Sequence, residues 1–126
     1  MTDGLIIVDH GSRLNQSNQL LDQLVEAFVK RFAGLYTIVE PAHMDIAEPS
    51  IPTAYGRCVE RGAARIVVCP YFLGPGKHRT TDIPCLAAEA QRRFPHTTFR
   101  ITPSLGIDDL MLDLLRKRIE QPDEGI

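Results

Sequence analysis

The chain has 126 residues, of which 44% are hydrophobic and 24% charged, with a formal net charge of −2. That is enough for one domain with a real core and too little for a second of ordinary size, so a large ligand must lie partly open or be shared with a second subunit. The near-neutral balance gives no broad basic field, and nucleic acid is not expected as a partner.

In chain order, Leu5-Ile6-Ile7-Val8 is a β-branched run that predicts a first strand. Asp9-His10-Gly11-Ser12-Arg13 follows at once, with a glycine and a serine suited to a tight turn into a helix. Over 17–32, Leu21, Leu24, Val25, Phe28 and Phe32 recur at three- and four-residue spacing opposite Asp22, Glu26 and Lys30, which predicts an amphipathic helix ended by Gly34. A second strand is expected over 36–39, leading into Glu40-Pro41-Ala42-His43-Met44-Asp45. Ser50 caps a second helix that carries Pro52 in its first turn and runs to Gly62. The apolar run over 65–73 predicts a third strand covered on both faces. A loop rich in turn formers spans 74–79, and Thr81 or Asp82 caps a third helix ending near Phe94-Pro95. A fourth strand over 97–102 and a fourth helix over 107–119 complete the pattern, with a frayed tail at 121–126.

Four strand-helix units without a hairpin signal predict a single α/β domain over 1–120, a four-stranded parallel sheet flanked by helices. The apolar run 66–73 falls far short of the ~20 residues of a membrane-spanning helix. The start, Met1-Thr2-Asp3-Gly4, lacks the positive region of a secretory signal, so a cytoplasmic protein without membrane attachment is expected. Cys58, Cys69 and Cys85 match neither a disulfide framework nor a zinc knuckle and read as small hydrophobes.

In such sheets the loops after the strands emerge at one edge, where ligands bind. His10, His43 with Asp45, and His78 follow the first, second and third strands, whereas His96 is expected at the opposite edge as a bystander. If residues 42–45 are extended, His43 and Asp45 point to the same side. His10, Asp45 and His78 can then meet around one divalent metal with positions left open. Gly76-Lys77 lacks the first glycine and the Ser/Thr of a phosphate-binding loop, and neither GxGxxG nor GxSxG occurs.

Three segments carry a family resemblance: Val8-Asp9-His10-Gly11-Ser12-Arg13, the stretch from Glu40 through Ala47-Glu48-Pro49-Ser50-Ile51, and the stretch from Pro70-Tyr71-Phe72 through Gly76-Lys77-His78 with Asp82-Ile83-Pro84. Together they resemble the small class II tetrapyrrole chelatases of the CbiX/SirB family, nearest to the plant and cyanobacterial branch. The resemblance implies a chelatase-like sheet, half of a flavodoxin-like two-domain enzyme. It also implies insertion of Fe²⁺ or Co²⁺ into sirohydrochlorin, on the route to siroheme or cobalamin. The two family histidines map onto His10 and His78, and the family carboxylate maps onto Asp45. Many relatives carry Glu there, and the shorter Asp45 leaves His43 and Glu48 in competition as third ligand. The plant forms' cysteine-bearing extension is absent, so no iron–sulfur cluster is expected, nor any organic cofactor, the divalent metal (Fe²⁺ or Co²⁺, with Ni²⁺ as a further candidate) being a substrate.

Metallation replaces two pyrrole protons, so His10 and His78 are expected to hold the metal, one of them or Asp45 accepting protons. Sirohydrochlorin is a polycarboxylate, and Ser12, Arg13, Lys77 and Arg79 flank the two histidines as candidate substrate contacts. A non-catalytic metal or tetrapyrrole carrier is the rival reading. The small members resemble half of a longer chelatase, which implies a homodimer with the sites facing a shared cleft.

Overall fold

The computed structural model describes residues 2–76 and 81–123. Strands and helices alternate as β1 (Thr2–Asp9), α1 (Asn15–Arg31), β2 (Ile38–His43), α2 (Ile51–Glu60), β3 (Ala63–Pro70), α3 (Ile83–Arg93), β4 (Thr98–Ile101) and α4 (Asp109–Ile119). All pairings are parallel, in the order β2-β1-β3-β4, which is the α/β sheet expected.

The side-chain period of two divides the strands between two faces. Ile6, Val8, Ile66 and Val68 are buried with Tyr55 and Cys58 of α2 and with Ile83 and Ala87 of α3. Ile7 and Val39 face the other way and are buried against Leu21 and Val25 of α1. At Gly4 a Cβ would stand 2.9 Å from Ala63 Cβ and 3.0 Å from Cys58 Cβ, so glycine is what lets α2 lie this close to β1. Inside the α2–α3 layer, Thr97 Oγ1 donates to the Phe94 carbonyl at 2.7 Å. The Tyr55 hydroxyl, 2.7 Å from that same oxygen, must therefore be the donor to it.

Several boundaries differ from the sequence expectation, each for a local reason. β2 runs four residues further, to His43, because an edge strand tolerates Pro41. β3 stops at Pro70 rather than Leu73, since proline has no N–H for the ladder, and Tyr71, Phe72 and Leu73 leave the sheet as a loop. Ser50 caps α2 as expected, its Oγ accepting the Thr53 N–H at 3.3 Å. Asp82 is already helical and its side chain makes no cap bond, so the cap expected at Thr81 or Asp82 is not formed by Asp82. α4 begins at Asp109 instead of Ile107, because Asp108 is extended and its carboxylate accepts the Leu110 N–H at 2.9 Å. Residues 121–123 form no regular element, and 124–126 lie outside the described residues. Among the described residues no helix is long and apolar enough to cross a membrane.

Burial pushes the Cys58 thiol up from an ordinary 9.0 to about 12, with Glu40 adding to the rise. Burial likewise raises Tyr55. The folded chain holds these protons more tightly than the unfolded chain does, so their stabilisation is complete below pH 9 and is lost as pH climbs toward 12. The melting temperature is expected to fall across that window, and Cys58→Ala to flatten the fall, as read by circular dichroism melts from neutral pH upward.

Candidate active site at the carboxyl edge

From β1 the chain moves to β2 on one side and then crosses to β3 on the other, so the crevice beyond the carboxyl ends of β1 and β3 is the topological switch point. His10 leaves β1 at that place, and residues 71–76 leave β3. The exposed His10 ring stacks on Phe72, with centroids 4.1 Å apart and planes inclined by 14°. Phe72 is buried, so it forms a fixed wall under the imidazole. A cavity of about 450 Å³ opens beside the pair, lined by His10, Tyr71, Phe72, Leu73, Gly74 and Gly76. A neighbouring cavity of about 350 Å³ shares Tyr71 and takes Asp9, Leu20 and Leu24 as further walls.

The base of the site is organised by Asp9. Its Oδ1 accepts the Gly11 N–H at 3.0 Å and lies 2.6 Å from His43 Nδ1, which must donate because a carboxylate only accepts. Backbone bonds continue the β1–β2 pairing past the strands: the Met44 N–H donates to Asp9 O at 2.8 Å, and the Asp45 N–H to His10 O at 3.1 Å. Gly11 turns with φ +91°, and a Cβ there would sit 2.0 Å from the Asp45 carbonyl oxygen. Any other residue would force the two loops apart. On the far side of the turn, the Ser12 N–H donates to Asn18 Oδ1 at 2.9 Å, and Asn18 Nδ2 donates to Ser12 O at 2.8 Å, which ties the loop to α1.

His10 and Asp45 are therefore neighbours, and both are exposed. Asp45 Oδ1 accepts the Ile46 N–H at 2.8 Å, and Ile46 sits at φ +74°, a strained conformation for a β-branched residue beside the candidate ligand. His43, the alternative third ligand, is placed differently from Asp45. It is only 2% exposed, and its Nδ1 is committed to Asp9, so it braces the base of the site. The expectation that His43 and Asp45 share a side fails because the strand ends at His43 and the chain bends from Met44 on, leaving His43 buried and Asp45 exposed.

Glu48, the other competitor for third ligand, is engaged at the start of α2, accepting from the Ser50 N–H at 3.1 Å and the Thr53 hydroxyl at 3.0 Å. Ser12 Oγ accepts the Leu14 N–H at 3.0 Å and so shapes the turn, while Arg13 is exposed on the same loop. Lys77, His78 and Arg79 lie outside the described residues. Among the described residues no three His, Cys, Asp or Glu side chains are grouped to hold a metal ion. His96 falls between α3 and β4, at the opposite edge as expected.

Sequence reasoning missed Phe72 and Asp9. The signal for Asp9 was its parity with Leu5 and Ile7 on the α1 face, which aims it inward instead of toward solvent. Gly11→Ala is expected to destabilise the protein by at least ~1 kcal/mol, through a strained φ and a backbone clash, and to disturb His10. Denaturant titration, with the His10 ring resonances followed by NMR, checks both effects.

Comparison with known proteins gives this edge a context. The CbiX family model matches residues 4–122. The chain is 50% identical over 118 residues to the chloroplastic sirohydrochlorin ferrochelatase of Arabidopsis thaliana, covering 94% of this chain and 52% of that protein. It is 46% identical to the sirohydrochlorin cobaltochelatase of Methanocaldococcus jannaschii, covering 67% of this chain and 57% of that one. The crystal structure of the sirohydrochlorin chelatase SirB from Bacillus subtilis in complex with cobalt superposes with a TM-score of 0.86 at 28% identity, over 95% of this chain and 50% of that chain. The chain thus spans about half the length of these relatives. With a family model matching nearly its whole length and His10 and Asp45 brought together on the edge that the fold uses for ligands, the chain belongs to the CbiX family.

Proposed function

We propose that the protein is a sirohydrochlorin chelatase, a lyase that inserts Fe²⁺, and Co²⁺ at the same site, into sirohydrochlorin for siroheme or cobalamin synthesis. The observation that carries the reading is His10, held flat against buried Phe72 beside an open cavity of about 450 Å³ with apolar walls at the switch point. A flat macrocycle with apolar faces suits such walls, and an imidazole at their rim suits a divalent first-row metal. The names of the relatives support the substrate and both metals.

In this reading His10 and His78 hold the incoming metal, with Asp45 as the third ligand. The two pyrrole protons leave to His10, His78 or Asp45 as the metal takes their place, so one M²⁺ enters for two H⁺ released. Ser12, Arg13, Lys77 and Arg79 engage the substrate's carboxylates. Two chains pair as a homodimer so that a second copy supplies the wall that one small domain lacks. No organic cofactor is required, nucleic acid and membranes are not partners, and the three free cysteines suit the reducing cytoplasm.

The test is anaerobic metal insertion followed by the absorbance change of sirohydrochlorin, with Fe²⁺ and Co²⁺ in parallel and an enzyme-free control. The wild type is expected to accelerate insertion, and His10→Ala to lose about 10²-fold or more of that acceleration. Stoichiometric binding of metal or macrocycle without acceleration would instead identify a carrier and overturn the chelatase reading.

A further inference from the structure

A β-branched residue at positive φ costs stability, and Ile46 is the one non-glycine in that state among the described residues. The Ala47 N–H donates to Asp45 O at 2.8 Å across it, so with φ at +74° Ile46 is the centre of a three-residue turn of the rare, strained hand. Glycine would adopt the same backbone without strain. The turn is held where it stands. Asp45 Oδ1 accepts the Ile46 N–H at 2.8 Å, the Asp45 N–H donates to His10 O at 3.1 Å, and the His43 N–H donates to Pro49 O at 2.7 Å, closing the loop.

The free protein receives little from the side chain in return. Met44, two residues earlier, packs against the core under α2 and α3, whereas Ile46 belongs to neither apolar cluster and is 62% exposed. A side chain that strains its backbone and fills no core points to a contact with something outside the chain.

The position of Ile46 indicates what that is. It lies three residues past the end of β2, and Leu73 lies three residues past the end of β3. These two strands flank β1, which ends one residue before His10. At ~4.8 Å between neighbouring strands, the two loops stand about 10 Å apart with the imidazole between them. Leu73 is also exposed, at 73%, and lines the cavity beside His10. An aliphatic side chain thus stands on each side of the candidate metal ligand.

We infer that Ile46 is a binding residue for the macrocycle: with Leu73 opposite, it supports the apolar face of a flat tetrapyrrole whose centre lies over His10, and the strained turn is what presents it. A hydrated cation alone would draw nothing from two aliphatic side chains. A ring that takes its metal at the centre uses apolar contact on both sides of the metal ligand. The inference rests on the function proposed above and adds the residue that holds the ring on the β2 side.

Binding of metal-free sirohydrochlorin, followed anaerobically by its fluorescence, tests this on the intact chain with Ile46→Gly, Ile46→Asn and Ile46→Leu, alongside denaturant unfolding of each. Glycine and asparagine accept positive φ and keep the N–H that Asp45 holds, so neither is expected to lower the unfolding midpoint. Both are expected to raise Kd about tenfold, the loss of one aliphatic side chain from the contact. Leucine, of the same volume and polarity, is expected to bind within about twofold of the wild type. The inference is overturned if glycine or asparagine binds as tightly as the wild type, or if leucine weakens binding as much as asparagine does. It is also overturned if both glycine and asparagine lose stability, since the side chain then serves the free fold. A wild type that binds no macrocycle overturns the functional reading itself, which sets that failure apart from a wild type that binds while Ile46→Gly binds equally well.

Discussion

The Asp9 carboxylate joins the segments on which the site is built. It receives the Gly11 N–H and the His43 ring N–H, so it fixes the turn that carries His10 and the end of the strand that leads to Asp45. The backbone bonds from Met44 to Asp9 and from Asp45 to His10 lock the same two loops edge to edge. A buried polar group stripped of such a partner costs about 1–3 kcal/mol, a sizeable share of the ~5–15 kcal/mol that holds a domain folded. Site geometry and local stability are therefore coupled at one residue, and the exposed imidazole is only as well placed as the carboxylate behind it.

Most of the fold was legible from periodicity. The α1 stripe of Leu21 and Val25 and the unbroken apolar run of β3 describe surfaces that must be buried, and burial is what the sheet then provides. What was illegible depends on where chains stop. Proline ends β3 early and releases Phe72 to become the wall under His10. The bend that begins at Met44 ends the strand alternation, so His43 goes inward while Asp45 stays in solvent. Parity arguments hold inside a strand and fail one residue past its end, which is where functional residues of an α/β sheet sit.

The same limits shape the larger molecule. One domain of this size builds a complete core on the α2–α3 face and an incomplete one on the other, so the molecule has apolar surface to spare at both α4 and the β3–β4 half-face. The candidate site opens at the carboxyl edge next to the link that leads to α4. Openness of the site and incompleteness of the fold thus occur together at one end of the sheet.

The central claim is that Asp9 places His10 for metal insertion, and a double-mutant cycle tests it most directly. Insertion rates into sirohydrochlorin are compared for the wild type, Asp9→Ala, His10→Ala and the double variant, each confirmed as folded. If Asp9 acts through His10, the double variant is no slower than His10→Ala alone. Losses that multiply, or full activity in Asp9→Ala, would contradict the account.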